Sequence, residues 1–349
     1  MKTGKTLTEL AQELERQQNN KRDFLADTRK LEMLPSAAMR IEGIDEFPLT
    51  HRCHLQVADR VGIPAKYYQV MKNIAPSLLA TNVNWWLQTK PEKRMIRTLD
   101  GNARAFLSER YRPLDNYDLA NAVLPKIQEL ECQVVSCEVT ETRMYLKVMT
   151  ERITAEVSKG DIVQAGLVIS NSEVGAGSVR VEPLVYRLVC LNGMIANDSG
   201  MRKYHIGRSG GDGIEDGGAS EYYRDETRQA DDRAFWMKVQ DVVAASLDQV
   251  KFKTIVGKMQ FAKELGFQNE PEKVVELVAK KEGFTEAEQR GVLRHLLTGG
   301  ELSAYGLANA ITRHSQDIED YDRATDFERL GGKVIELSQN EWSNLQSAA

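Results

Sequence analysis

The stretch Arg94 to Tyr117, RMIRTLDGNARAFLSERYRPLDNY, decides how this chain is read. Met95 to Leu99 and Ala103 to Leu107 are short apolar-rich runs separated by Asp100-Gly101-Asn102. Glycine accepts positive φ at little steric cost, so the three residues turn the chain and the runs pair as a hairpin. Arg94, Arg97, Arg104, Arg110 and Arg112 then sit on or just beyond one compact β-ribbon. Between Trp85 and Arg112 there are seven Lys or Arg against three acids, a local excess of four in a chain of net charge −5.

Upstream, Leu49 to Leu87 reads as helical, broken at Gly62 and Pro64, resumed at Ala65 and reopened at Pro76. Downstream, Asn116 offers an N-cap to a helix whose Leu119, Val123, Ile127 and Leu130 form an apolar stripe. Gln133 to Val139 and Arg143 to Met149 alternate in period two as a second hairpin, Ile162 to Ser170 is a further strand, and Val179 to Val189 supplies at least one more. Beyond a glycine-rich stretch, Phe235, Val239, Val242, Val243, Leu247 and Val250 predict one long helix from about Glu221 to about Gly257. Pro271 opens another, Thr285 with Glu288 forms a capping box, and two more helices run from Leu302 to Ile318 and Asp322 to Leu337.

The expected class is α+β, with antiparallel hairpins and a meander carrying packed helices, followed by an all-helical C-terminal half. The expected division is an N-terminal arm over 1–48, in which residues 1–35 begin with a polar, charge-mixed helical pattern that is surface-mounted or partly disordered, then an α+β core domain over 49–206. A glycine-rich linker over 207–218 and a helical domain over 219–349 complete it.

A length of 349 residues, 42% hydrophobic and 28% charged, describes a globular chain with room for a substantial core. Its net charge of −5 argues against coating duplex DNA by bulk attraction but leaves room for a local basic face. The N-terminus has no apolar signal core and no run reaches the roughly 18 apolar residues of a membrane span, so the expectation is a cytoplasmic protein without a membrane partner. Cys53, Cys132, Cys137 and Cys190 are too scattered for a disulfide framework and read as reduced, mostly buried thiols.

Four motifs carry a resemblance: VGIPAKYY at 61–68, FLSERYRPLDN at 106–116, ISNSEVGAGSVRVEPLVYRLVCLNGM at 169–194, and AYGLANAITRHSQDIEDYDRATDFERLGGKVIEL at 304–337. On these the chain resembles the phage- and plasmid-borne family called domain of unknown function 932, from about residue 50 to about residue 340. The resemblance implies a mobile-element setting and no chemistry. The element order is also similar to that of phage single-strand annealing proteins of the lambda beta and Erf types, which implies a ring or filament holding one strand with its bases exposed.

Together these give the functional expectation: a non-enzymatic, homo-oligomeric protein binding or annealing single-stranded DNA, or RNA, in recombination or replication. Arg94, Arg97, Arg104, Arg110, Arg112, Lys203 and Arg208 would hold phosphates through charge-assisted hydrogen bonds, and Tyr111 would stack on an unpaired base. The alternative for the ribbon is a solvated face on which Arg110 and Arg112 pair with Glu109 and Asp115. The glycines of NSEVGAGS (171–178) read more readily as a tight turn than as a phosphate nest. No cofactor is expected, and His51, Cys53 and His54 lack the second pair that a zinc site needs. The acids from Asp317 to Glu328 are interspersed with Arg313, Arg323 and Arg329 and read as a salt-bridged surface. Two competing functions are an enzyme using Cys190 with His205 as base, and a host-interaction protein using the helical half with its Trp236 and Trp342.

Overall fold

Local chemistry places most elements where pattern and caps demand. In this computed structural model, which describes residues 1–111, 113–196 and 225–347, the first helix α1 (Leu7–Asn20) starts at a capping box between Thr6 and Glu9. After it come β1 (Arg22–Asp27) and a meander of β2 (Leu31–Met33), β3 (Ala38–Ile41) and β4 (Asp45–Pro48). Then follow α2 (His51–Val61), α3 (Ala65–Ile74) and α4 (Pro76–Thr89), with Gly62 in the left-handed conformation that ends α2. The ribbon is β5 (Lys93–Leu99) and β6 (Asn102–Ser108), and β1 pairs antiparallel with β5 to complete a three-stranded sheet.

After α5 (Asn116–Glu129) the chain builds an antiparallel sheet from β7 (Gln133–Val139), β8 (Met144–Ser158), β9 (Asp161–Asn171), β10 (Arg180–Arg187) and β11 (Asn192–Ile195). The strands lie in the order β11-β10-β9-β8-β7. The described C-terminal half is helical: α6 (Asp225–Ser246), α7 (Gln249–Glu264), α8 (Pro271–Glu282), α9 (Glu286–Gly299), α10 (Ala304–His314), α11 (Tyr321–Ile335) and α12 (Gln339–Ser347). The α+β class is therefore the observed one.

Both faces of the large sheet are buried, which is unusual for an antiparallel sheet. Met144, Leu146 and Val148 of β8 pack in one core with Leu10 and Leu14 of α1, Leu119 and Val123 of α5, and Val239 of α6. Their neighbours Tyr145 and Lys147 point the other way, where the Tyr145 ring meets Tyr321 of α11 and Lys147 Nζ lies 2.6 Å from Glu328 Oε2. Helix α11 reaches the sheet because Gly332 has no side chain: a Cβ there would lie 1.9 Å from the Ile195 carbonyl oxygen. The meander, α2–α4 and the ribbon share a separate core around Met33, Ile41, Val57, Leu79 and Ile96.

Several expectations need correction. Residues 1–48 are not a separate arm. Lys5 bridges β7 at Cys137, the Met1 ammonium donates to the Leu191 carbonyl, and residues 22–48 are strands built into the core of α2–α4. The single long helix from Glu221 to Gly257 is two helices, because Asp248 caps a new one by accepting from Lys251 N–H at 2.8 Å. The strand expected over Val179 to Val189 ends at Arg187, and 188–191 turn the chain into β11. The expected linker 207–218 lies outside the described residues.

His54, on α2, is 6% exposed and its Nδ1 sits 2.9 Å from the Tyr68 hydroxyl. Burial pulls its imidazole down to about 4. Between that value and the ordinary His pKa near 6.5 the unfolded chain binds the extra proton, so stability rises with pH in this window and is lost as pH falls from 6.5 to about 4. Urea denaturation at pH 7 and pH 5 should show this loss in the wild type and a smaller one in His54→Phe.

Candidate functional site

The arginine ribbon faces inward. Arg97 is fully buried, with Nε 2.9 Å from Asp23 Oδ1 on β1, Nη2 2.7 Å from Asp115 Oδ1 before α5, and Nη1 donating to the Glu173 carbonyl at 3.0 Å. Burial pulls its guanidinium down, but the two carboxylates outweigh it and hold it above its ordinary value. Burial likewise pushes Asp115 up, and Arg97 with Lys21 nonetheless keeps it below the usual carboxylate range. Arg104 is also buried, its Nη2 2.7 Å from Glu173 Oε2, close enough for an ion pair but misaligned for a hydrogen bond. Arg94 pairs with Glu92 at 2.6 Å and lies over the Phe106 ring.

These donors converge on the loop NSEVGAGS. Besides Arg97 on Glu173, Gln56 donates to the Val174 carbonyl at 2.8 Å, Arg52 to Gly175 at 3.0 Å, and Arg143 to Ala176. The Val174 and Ala176 N–H groups are held by the Ser172 hydroxyl. A phosphate nest needs N–H groups turned outward, whereas this loop turns its carbonyls to arginine and glutamine, so it is a clamped turn. Gly175, at φ +70°, is required: a Cβ would meet Leu107 Cδ2 at 2.7 Å. A cavity of about 200 Å³, lined in part by Arg104, Asn116, Thr140, Arg143 and Glu173, lies beside it.

The expected phosphate contacts are thus largely withdrawn. Arg97 and Arg104 are internal ion pairs, Arg94 is mostly covered, and Tyr111 is half-buried against Leu107 and Val174 with its hydroxyl donating to the Ser172 carbonyl at 3.3 Å. Arg110 alone of the described candidates is exposed, while Arg112, Lys203 and Arg208 lie outside the described residues. The pairing of Asp115 with Arg110 or Arg112 as a solvated face also gives way in part, because Asp115 is held by Arg97 and Lys21.

The competing sites fare no better. Cys190 is half-buried on a turn whose Val189 and Leu191 are exposed, and His205 lies outside the described residues. Trp342 is buried, donating to the Gly266 carbonyl at 3.1 Å, and Trp236 packs against Phe235, so neither offers a docking surface.

An open basic and aromatic face does exist, on α3 and α4. From Arg60 to Pro91 the sequence contains no Asp or Glu but carries Lys66, Lys72 and Lys90. One side of these helices packs inward through Tyr68, Met71, Leu79, Val83 and Leu87. The other leaves Tyr67 and Ile74 of α3 and Leu78 and Trp85 of α4 exposed, at 51%, 80%, 50% and 65%. Lys90 Nζ lies 4.6 Å from the Trp86 ring centroid, and Lys93 and Arg110 are exposed at the open end of the ribbon, which follows α4 in the chain. The absent acids and the Trp85-Trp86 pair are legible in the sequence, where adjacent tryptophans at a helix end place one in the core and leave the other for a partner.

The fold and these sites define an α+β protein in which Arg97 and Arg104 form an internal clamp and α3 and α4 expose lysines and aromatic rings. Residues 105–254 match the model of the family described as Domain of unknown function (DUF932). The match runs from β6 into α7 and excludes α3 and α4. No curated protein and no solved structure matches the chain.

Proposed function

We propose that the protein binds single-stranded nucleic acid, and that it does so on the α3–α4 face and the adjoining end of the ribbon. One observation carries this: an acid-free stretch with Lys66, Lys72 and Lys90 presents exposed Tyr67 and Trp85 in a chain of net charge −5. Lysines neutralise phosphates and release counterions, and exposed rings stack on unpaired bases for about 1–3 kcal/mol each, which a duplex does not offer. Arg94, Arg97 and Arg104 act indirectly, by fixing the scaffold. A fluorescence anisotropy titration of a labelled single strand across a salt series tests the proposal. The wild type should bind with a steep salt dependence, and Lys66→Glu/Lys72→Glu/Lys90→Glu should weaken it more than about tenfold and reduce the salt slope by roughly two, at about 0.7 per phosphate contact. Unchanged affinity in the triple variant, or no wild-type binding at low salt, would refute it.

The apolar side chains of the same face, Val70, Ile74 and Leu78, favour a second reading, contact between copies of the chain. A homo-oligomer that dissociates in Ile74→Asp, with strand binding insensitive to the lysines, would support that reading instead.

A further inference from the structure

Far from the α3–α4 face, three metal-ligating side chains converge where α10 ends against the side of α9. His295 lies in the last turns of α9, His314 is the last residue of α10, and Asp317 follows three residues on. His295 Nε2 is 2.7 Å from Asp317 Oδ2 and His314 Nδ1 is 3.6 Å from the same oxygen. One ligand atom from each lies within 4.8 Å of the others, the single such group of three among the described residues. Ligands about 2.1 Å from a tetrahedral zinc stand roughly 3.4 Å apart, so small side-chain rotations bring all three into range.

The second observation is His314 itself. It is 8% exposed, and its Nδ1 is buried without a hydrogen-bond partner. An orphaned ring nitrogen pointing at a carboxylate beyond hydrogen-bond reach is poorly explained by packing alone. The ring is admitted by Gly291 of α9, where a Cβ would lie 2.4 Å from Nδ1. The C-terminus of α10, with its carbonyl partial negative charge, also ends there. Arg294 and Arg313 now neutralise Asp317, at 2.9 and 3.8 Å, but their side chains are 66% and 41% exposed and are free to swing to solvent.

We propose that His295, His314 and Asp317 form a site for a divalent first-row transition metal of the zinc class, with at least one coordination position left for water or a ligand. Two imidazoles and one carboxylate suit such an ion and disfavour magnesium or calcium, which prefer all-oxygen sites. The Arg294 contact makes binding competitive with an internal cation.

Cobalt(II) titration of the full chain, followed by visible absorption, tests the site, with zinc back-titration and magnesium as control. The wild type should take up one equivalent with the ligand-field bands of a four- or five-coordinate nitrogen and oxygen site, displaced by zinc and not by magnesium. His314→Gln and His295→Ala should each weaken binding more than about tenfold, whereas Arg294→Ala should leave it equal or tighter. His295 is on the surface side of the cluster, so its variant serves if His314→Gln fails to fold. Absence of uptake, binding unchanged in His295→Ala, or a thiolate-to-cobalt charge-transfer band marking a cysteine site would each overturn the proposal.

Discussion

Arg97→Met is expected to lower the stability of the fold by about 3–5 kcal/mol, the cost typical of removing one partner from a buried ion pair. The substitution keeps the chain's bulk but strands Asp115 and Asp23, whose side chains are 16% and 31% exposed, and removes the donor to the Glu173 carbonyl. Lys21 still holds Asp115, which places the effect toward the lower end of the range. Arg110→Met, on the same ribbon but exposed, should shift stability by no more than about 0.5 kcal/mol. Urea denaturation of the two variants beside the wild type measures both. Equal, small effects would mean that the ribbon's charge is not internal after all.

Lys147→Met should cost a similar 3–5 kcal/mol, for a related reason. Lys147 and Glu328 are both completely buried between β8 and α11, and the lysine also lies over the Tyr321 ring at 4.6 Å. Desolvation lowers the Lys147 pKa, and the attraction of Glu328 opposes that shift. Removing the lysine leaves a buried carboxylate whose remaining donor is the Lys2 N–H, at 3.1 Å. Replacing both residues, as Lys147→Met/Glu328→Leu, should recover most of the loss, because an apolar pair of similar volume has no desolvation penalty. A double-mutant cycle by chemical denaturation gives the coupling. A double variant as unstable as the single one would show that packing, not charge, holds α11 to the sheet.

These two ion pairs also mark the limit of what the sequence discloses. The hairpin, the breaks at Gly62 and Pro64, and the Thr285–Glu288 capping box are local: each is fixed by turn or cap chemistry within a few residues, and each lies where the sequence places it. The partners of Arg97 and Lys147 are set by topology, because Asp23, Asp115 and Glu328 reach them only once β1 has paired with β5 and α11 has docked on β8. A cluster of arginines therefore reads alike whether it faces phosphates or a polar core. The break before α7 was obscured because apolar periodicity continued across it, while the deciding feature was a single capping aspartate. The β2–β4 meander, hidden in a stretch that reads as polar, is stabilised by the apolar face of α4 rather than by its own propensity.

Photo-cross-linking of a 5-iodouracil-substituted single strand, followed by mapping of the attached peptides, tests the central claim most directly. Cross-links at Tyr67, Trp85 or Trp86, reduced in Lys66→Glu/Lys72→Glu/Lys90→Glu, are the predicted result. Cross-links confined to Tyr111 and Tyr117, with α3 and α4 unlabelled, would contradict it and return the binding surface to the ribbon.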